Sequence, residues 1–167
     1  MLPELLDCKE FVNADEIARG LSPFQPETVA LEAGRIMLSR IHELIERGED
    51  FAFETTLATK SYLSFIRKAK KAGYFVSLVF FWLESPELAI ERVKKRVMEG
   101  GHHIPEGVVR RRYQRGIENL FNLFFNEVDY LLIFDNTGPD PELIAEKETQ
   151  LNILNISKFD LIKAFSE

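Results

Sequence analysis

Residues 75–86 read FVSLVFFWLESP. From Phe75 to Leu83 the run is apolar except for Ser77 and rich in aromatic and branched side chains, the composition of a strand buried on both faces. Glu84 ends the run, and Ser85 followed by Pro86 supplies an N-cap hydroxyl and a first helical residue whose missing N–H costs nothing. A buried strand that feeds a helix is half of a βα unit. Apolar runs at Glu10 to Asn13, Phe51 to Glu54 and Tyr130 to Phe134 read as further buried strands with helical patterns between them. That alternation predicts an α/β fold around a parallel sheet.

The helices have recognisable ends. Pro26 starts the first long one and Gly48 follows its last turn as a left-handed cap. Ser61 and Gly73 bracket the second in the same way. The helix from Pro86 runs to the Gly100–Gly101 break, a fourth spans Val108 to about Asn126, and Asp140–Pro141 is expected to open a fifth. From about Gln150 the tail LNILNISKFDLIKAFSE has helical apolar spacing at Phe159, Leu161, Ile162 and Phe165, which predicts a C-terminal helical tail over about 151–167. With no internal repeat, low-complexity tract or linker, residues 1–167 are expected to form one domain.

Composition excludes several function classes. A formal net charge of -6 opposes general affinity for nucleic acid, whose phosphates it would repel, though a local arginine cluster can still hold a small phosphorylated ligand. Cys8 is the single cysteine, so no internal disulfide is possible, and it reads as a small buried or half-buried side chain in a reducing compartment. No apolar stretch is long enough to span a bilayer, and MLPELLDCKE lacks a basic leader, so a cytoplasmic protein without a membrane role is expected.

The candidate chemistry lies at strand ends, where open α/β sheets bind ligands. Asp15, Glu54, Glu84 and Asp135 each sit at or just past such an end. A carboxylate at Asp15 can accept a proton from a substrate hydroxyl that attacks phosphorus, or Asn13 or Asp15 can cap a short helix running through Arg19. Glu54 has no helix start of its own to cap, which favours a role in the site, whereas Thr55 and Thr56 can bind substrate or cap the turn. On the helix from Pro86, at about 100° per residue, Arg96 falls on the apolar arc next to Ala89 and Arg92 at its margin. Arg111 and Arg115 fall opposite the stripe of Val109, Tyr113, Ile117, Leu120, Phe121 and Phe124, with Arg110 and Arg112 at its edges. Between the two helices, GGHHIPEGV forms a loop that can close over a nucleotide and bring guanidinium groups onto a phosphate. His102 and His103 are adjacent and lack a nearby third ligand, so no metal site is expected.

Together VNADEIARGLSP, FAFETTLATKSY, SPELAIERVKKRVMEGGHHIPEGVVRRRYQRG and FDNTG resemble the zeta toxin family of P-loop kinases, especially members similar to UDP-N-acetylglucosamine kinases. The resemblance covers roughly Cys8 to Gly138 and implies a three-layer α/β/α domain with a mostly parallel sheet. It implies ATP-dependent phosphorylation, with Mg²⁺, of a hydroxyl on a UDP-amino sugar. Asp15 matches the catalytic base, and Glu54, with Thr55 and Thr56 beside it, matches the residues that hold substrate. Arg96 and Arg112 resemble the lid arginines that contact the γ-phosphate, and Asp135, Asn136 and Thr137 resemble the segment near adenine. Toxin-type members are restrained by a small antitoxin protein, which makes one a possible partner.

The family pattern also opens with a strand and a phosphate-binding loop, and none of the nine glycines here precedes a lysine, so no G-x-x-x-x-G-K-[ST] occurs. By this resemblance Leu2 to Leu6 fall inside the helix that follows that loop, and the absent first strand is central, between the strands at Phe51 and Phe75. The expectation is a chain whose beginning lies upstream of Met1, with impaired activity as it stands. The alternatives are a non-catalytic remnant or interaction module, and another nucleotide or metabolite kinase on the same scaffold.

Overall fold

The computed structural model describes residues 8–101 and 103–166, so the expectations for Leu2 to Leu6 and His102 lie outside the described residues. The chain divides into two compact units, Met1–Thr55 with Gly100–His103, and Thr56–Glu99 with Ile104–Glu167.

In the first unit, β1 (Glu10–Val12) and β2 (Phe51–Phe53) pair in parallel, with Glu10 opposite Phe51 and Val12 opposite Phe53. A parallel pair needs a long crossover. Here it consists of α1 (Ala14–Leu21), a 3₁₀ turn (Pro26–Val29) and α2 (Ala30–Arg47). Pro26 begins the 3₁₀ turn that leads into α2. Ala33, Met37, Ile41, Leu44 and Ile45 form the buried stripe of α2. Gly48 ends the helix at φ 70°, where the amides of Gly48 and Glu49 return to the carbonyls of Ile45 and Leu44. Arg40 ties α2 to β1 by bonding Glu10 at 2.9 Å, and it also holds Glu43 at 2.8 Å.

The second unit is built on a four-stranded mixed sheet in the order β3 (Ser77–Trp82), β4 (Tyr130–Asp135), β5 (Glu142–Lys147), β6 (Leu151–Ile153). β3 and β4 run parallel over their full length, from Ser77 opposite Tyr130 to Trp82 opposite Asp135. β5 and β6 add antiparallel pairings, with a register shift at Ile133/Phe134. Among the described residues β2 pairs only with β1, and β3 only with β4, so each keeps one edge without a strand partner.

The helices of this unit are α3 (Ser61–Lys71), α4 (Pro86–Met98), α5 (Glu106–Asn119) and α6 (Ile156–Ala164), and a π-helical turn (Leu120–Phe124) continues α5. Ser85 caps α4 through the Leu88 amide at 3.2 Å, as its sequence predicts. Ser61 does not cap α3; its own amide is received by the Thr59 hydroxyl. Leu120, Phe124, Ile133, Ile144 and Ile162 are fully buried and form the centre of this unit's core.

Two sequence expectations change. Asp140–Pro141 opens β5 rather than a helix. Ile144 and Ala145 are buried and the strand completes the ladder of β4, so sheet pairing outweighs the local helix-start signal. The tail then begins as β6, and its helix is confined to Ile156–Ala164, capped by the Asn155 side chain on the Lys158 amide. Phe159 and Ile162 face the core, whereas Leu161 is half exposed.

Lys158 clamps this C-terminal segment. Its ammonium meets Asp135 at the end of β4 and Glu142 at the start of β5, each at 2.7 Å. For Asp135, burial is the largest single influence and pushes the carboxyl up, but the bonds from Lys158 and Thr137 together outweigh it and hold it below the ordinary aspartate value. Lys158 is raised, first by its bond to Asp135 and then by Glu142.

Two outcomes follow. Ile144→Ala should lower unfolding free energy by about 2–5 kcal/mol in denaturant titrations, with an unchanged slope, because it leaves a cavity in a fully buried site. The depressed Asp135 carboxyl contributes stability that is complete above its unfolded value and lost as pH falls through its folded value, so the loss lies below about pH 4. Thermal melts of wild type and Asp135→Asn should therefore differ most near neutral pH and converge on acidification. Lys158 loses its contribution only as strongly alkaline pH passes its raised value.

Candidate active site

In the first unit the catalytic candidates meet at Asn13. β1 ends at Val12, and Asn13 adopts an extended conformation at φ -132° and ψ 121° before α1 begins. Its side-chain oxygen accepts the amides of Asp15 at 2.8 Å and Glu16 at 3.3 Å. Its Nδ2 donates to Glu54 Oε2 at 3.0 Å. One amide side chain therefore caps the helix and orients the carboxylate at the end of β2. The two readings of Asp15 separate at this point: the cap is Asn13. The Asp15 side chain is exposed, with no bond to its carboxylate among the described residues, while its neighbour Glu16 is paired with Arg19 at 2.8 Å. Glu54 is exposed and Thr55 half-buried.

In the second unit the turn after β4 is pinned from several directions. Asp135 Oδ1 accepts the Thr137 amide at 2.8 Å and Oδ2 meets Lys158, so both oxygens are engaged and the residue is buried. The Asn136 amide donates to Trp82 O at 2.8 Å. The Thr137 hydroxyl accepts the Glu84 amide at 3.0 Å. Arg92 donates to the carbonyls of Asn136 and, at 3.2 Å, Thr137. Of the three residues, only Asn136 keeps its side chain unbonded among the described residues.

The arginines divide by commitment. Arg92, read as marginal in sequence, is half-buried and braces the Asn136–Thr137 turn. Arg96 is exposed rather than on the buried arc of α4, which centres on Ile90, Val93 and Val97. Position 96 lies about 100° before Val97, far enough round the helix to reach solvent. Arg112 is also exposed, on α5, and among the described residues neither Arg96 nor Arg112 forms an ion pair. Arg110 is held by Glu87 across the α4–α5 pair. Tyr113 donates to Leu83 O at 2.8 Å, and burial raises its phenol above the ordinary value. His103 is exposed, and no cluster of three metal-binding side chains occurs among the described residues.

Two contributors were missed by sequence reasoning, the Asn13–Glu54 clamp and the Arg92 brace. Each joins residues more than forty positions apart, so no local spacing signals them. The capping preference of asparagine after a strand was the one available hint for Asn13.

A zeta toxin family model matches residues 9–139. An uncharacterized protein of Haemophilus influenzae is 32% identical over 102 residues, which is 61% of this chain and 73% of that protein. A solved chain from the PezAT chromosomal toxin–antitoxin system of Streptococcus pneumoniae aligns with a TM-score of 0.64 at 15% identity, covering 97% of this chain and 68% of that one, a likeness of fold. Among the described residues no helix is long and apolar enough to cross a membrane. The match across residues 9–139 takes in the Asn13 clamp, both exposed arginines and the pinned turn, and on it the chain belongs to the zeta toxin family.

Proposed function

We propose that this protein is a kinase-like toxin component that transfers a phosphoryl group from ATP to a hydroxyl of a UDP-amino sugar. The observation that carries the reading is the division of labour at Asn13. Because Asn13 both caps α1 and clamps Glu54, the Asp15 carboxylate is spared those tasks and stays available as a base. In this reading the substrate O–H proton passes to Asp15 as the oxygen bonds phosphorus, and the donor P–O bond breaks with its electron pair leaving on the departing nucleotide. Glu54, oriented by Asn13, holds the sugar nucleotide together with Thr55 and Thr56. Arg96 and Arg112, exposed and without an ion pair among the described residues, are suited to the charge that develops on the transferring group. Asn136, on the edge fixed by Asp135 and Thr137, is suited to the adenine.

Mg²⁺ would normally accompany ATP. Among the described residues there is no group of three metal-binding side chains, and no glycine in the sequence precedes a lysine, so the β-phosphate cradle is not among these residues. No step assigned above runs through the metal. A second reading is an interaction module that keeps the fold without turnover. A protein antitoxin is the partner suggested by the solved chain's origin in a toxin–antitoxin system. A cytoplasmic location suits both readings.

With ATP and UDP-N-acetylglucosamine as substrates, Asp15→Asn should lower kcat by about 10²–10⁴-fold with little change in KM or helical content. Full activity of that variant would remove Asp15 from the role of base. Turnover of other hydroxyl acceptors but not UDP-sugars would move the substrate to another metabolite class. An inactive wild type that also fails to bind ATP in calorimetry would favour the interaction module.

A further inference from the structure

Immediately after the strand-end carboxylate segment, the chain makes a turn whose geometry is costly and elaborately held. Leu57 is the one non-glycine residue with positive φ among the described residues, at 59°, and it is buried. A branched side chain enters the left-handed region only when its surroundings impose it, and such strain concentrates at functional sites. Here α5 imposes it. Asn119, itself buried, donates its Nδ2 to Leu57 O at 2.8 Å. One turn earlier on the same helix, Gly116 is buried against the Thr56 carbonyl, and a Cβ at that position would lie 2.8 Å from the carbonyl oxygen. The helix then widens into its π turn at Leu120, the residue after Asn119. Such widenings recur at functional sites.

Both contacts fall on the backbone just after one side chain, at the carbonyls of residues 56 and 57. Thr56 is exposed, and its hydroxyl has no partner among the described residues. A buried polar anchor, a close-approach glycine and a strained leucine converge on a residue that contributes nothing to the core. Were the turn merely a connection, a glycine at position 57 would adopt it without strain.

We infer that Asn119 and Gly116 are positioning residues, which hold the Thr56 hydroxyl ready to hydrogen-bond the sugar nucleotide. The inference rests on the substrate reading above and adds to it how the threonine is prepared. Asn119 and Gly116 touch no substrate; they act through Thr56.

A double-mutant cycle tests this, with UDP-N-acetylglucosamine binding to the full chain followed by NMR titration. Wild type should show saturable shifts at the Thr56 and Leu57 amides. Thr56→Val, which keeps the shape of an exposed side chain, should weaken binding about tenfold, the scale of one lost hydrogen bond. Asn119→Ala and Gly116→Ala should each weaken it by a similar factor, yet add little in the Thr56→Val background. That non-additivity is the signature of action through Thr56, and general destabilisation would not produce it. If either α5 variant fails to fold, Thr56→Val and the other variant complete the cycle. Fully additive losses, or unchanged affinity in Thr56→Val, would overturn the positioning role while leaving the substrate reading intact. A wild type in which the sugar nucleotide shifts no resonance would overturn the substrate reading, and this inference with it.

Discussion

Parallel pairing is the constraint from which the rest of the architecture follows. Two parallel strands cannot close through a tight turn, so the chain must leave by one end, cross over and return in the same direction. The carboxyl ends of the paired strands therefore lie side by side. In the first unit this sets Asn13, just past β1, beside Glu54, just past β2, so that a short amide side chain reaches a carboxylate 41 residues away. In the second unit the same rule sets Leu83 and Glu84, past β3, beside Asn136 and Thr137, past β4. The Glu84 amide meets the Thr137 hydroxyl, and the Asn136 amide meets the Trp82 carbonyl. These strand-end residues are where they are because parallel topology gathers strand exits.

What could be read from residues alone follows from the range of the forces involved. The Ser85 cap and the glycine after α2 depend on contacts within a few positions, and each is present as its residues suggest. Strand β3 forms within Phe75–Leu83 but is not buried on both faces: Val79 and Phe81 are exposed, because its pairing and cover come from β4 and other distant elements. The β5–β6 hairpin depends on a distant partner. Asp140–Pro141 is a sound helix opening until β4 offers a ladder of unpaired backbone groups, and satisfying those groups outweighs propensity. The site divides along the same line. Asp15 and Glu54 were visible as strand-end carboxylates, whereas which of Asn13 and Asp15 did the capping was decided by Glu54, far away in sequence. Arg96 was misplaced on α4 because a helical wheel gives angles but not the centre of the buried arc, which Ile90 sets.

The two strand-end aspartates differ in what engages them. Asp135 lies in the FDNTG segment, yet burial, Lys158 and the Thr137 amide occupy it fully. Its work is to shape a turn. Asp15 stands at an equivalent strand exit with its carboxylate exposed, because the residue before the helix took over the cap. Two aspartates with similar sequence settings thus diverge through their neighbours: one is fixed in place and one is available.

The arginines extend the contrast to positive charge. Arg40, Arg92 and Arg110 are each bound to a carboxylate or to backbone carbonyls, and exposed pairs of this kind contribute little stability but do define position. A guanidinium already so engaged must break those bonds before it can meet a phosphate. One held only by water exchanges solvent for a bidentate, charge-assisted contact. Among the described residues Arg96 and Arg112 form no ion pair, and each is on a helix whose neighbouring arginine is already committed: Arg92 to the turn carbonyls and Arg110 to Glu87. The committed arginine of each pair ties its helix to a neighbouring element, Arg92 to the turn after β4 and Arg110 across to α4.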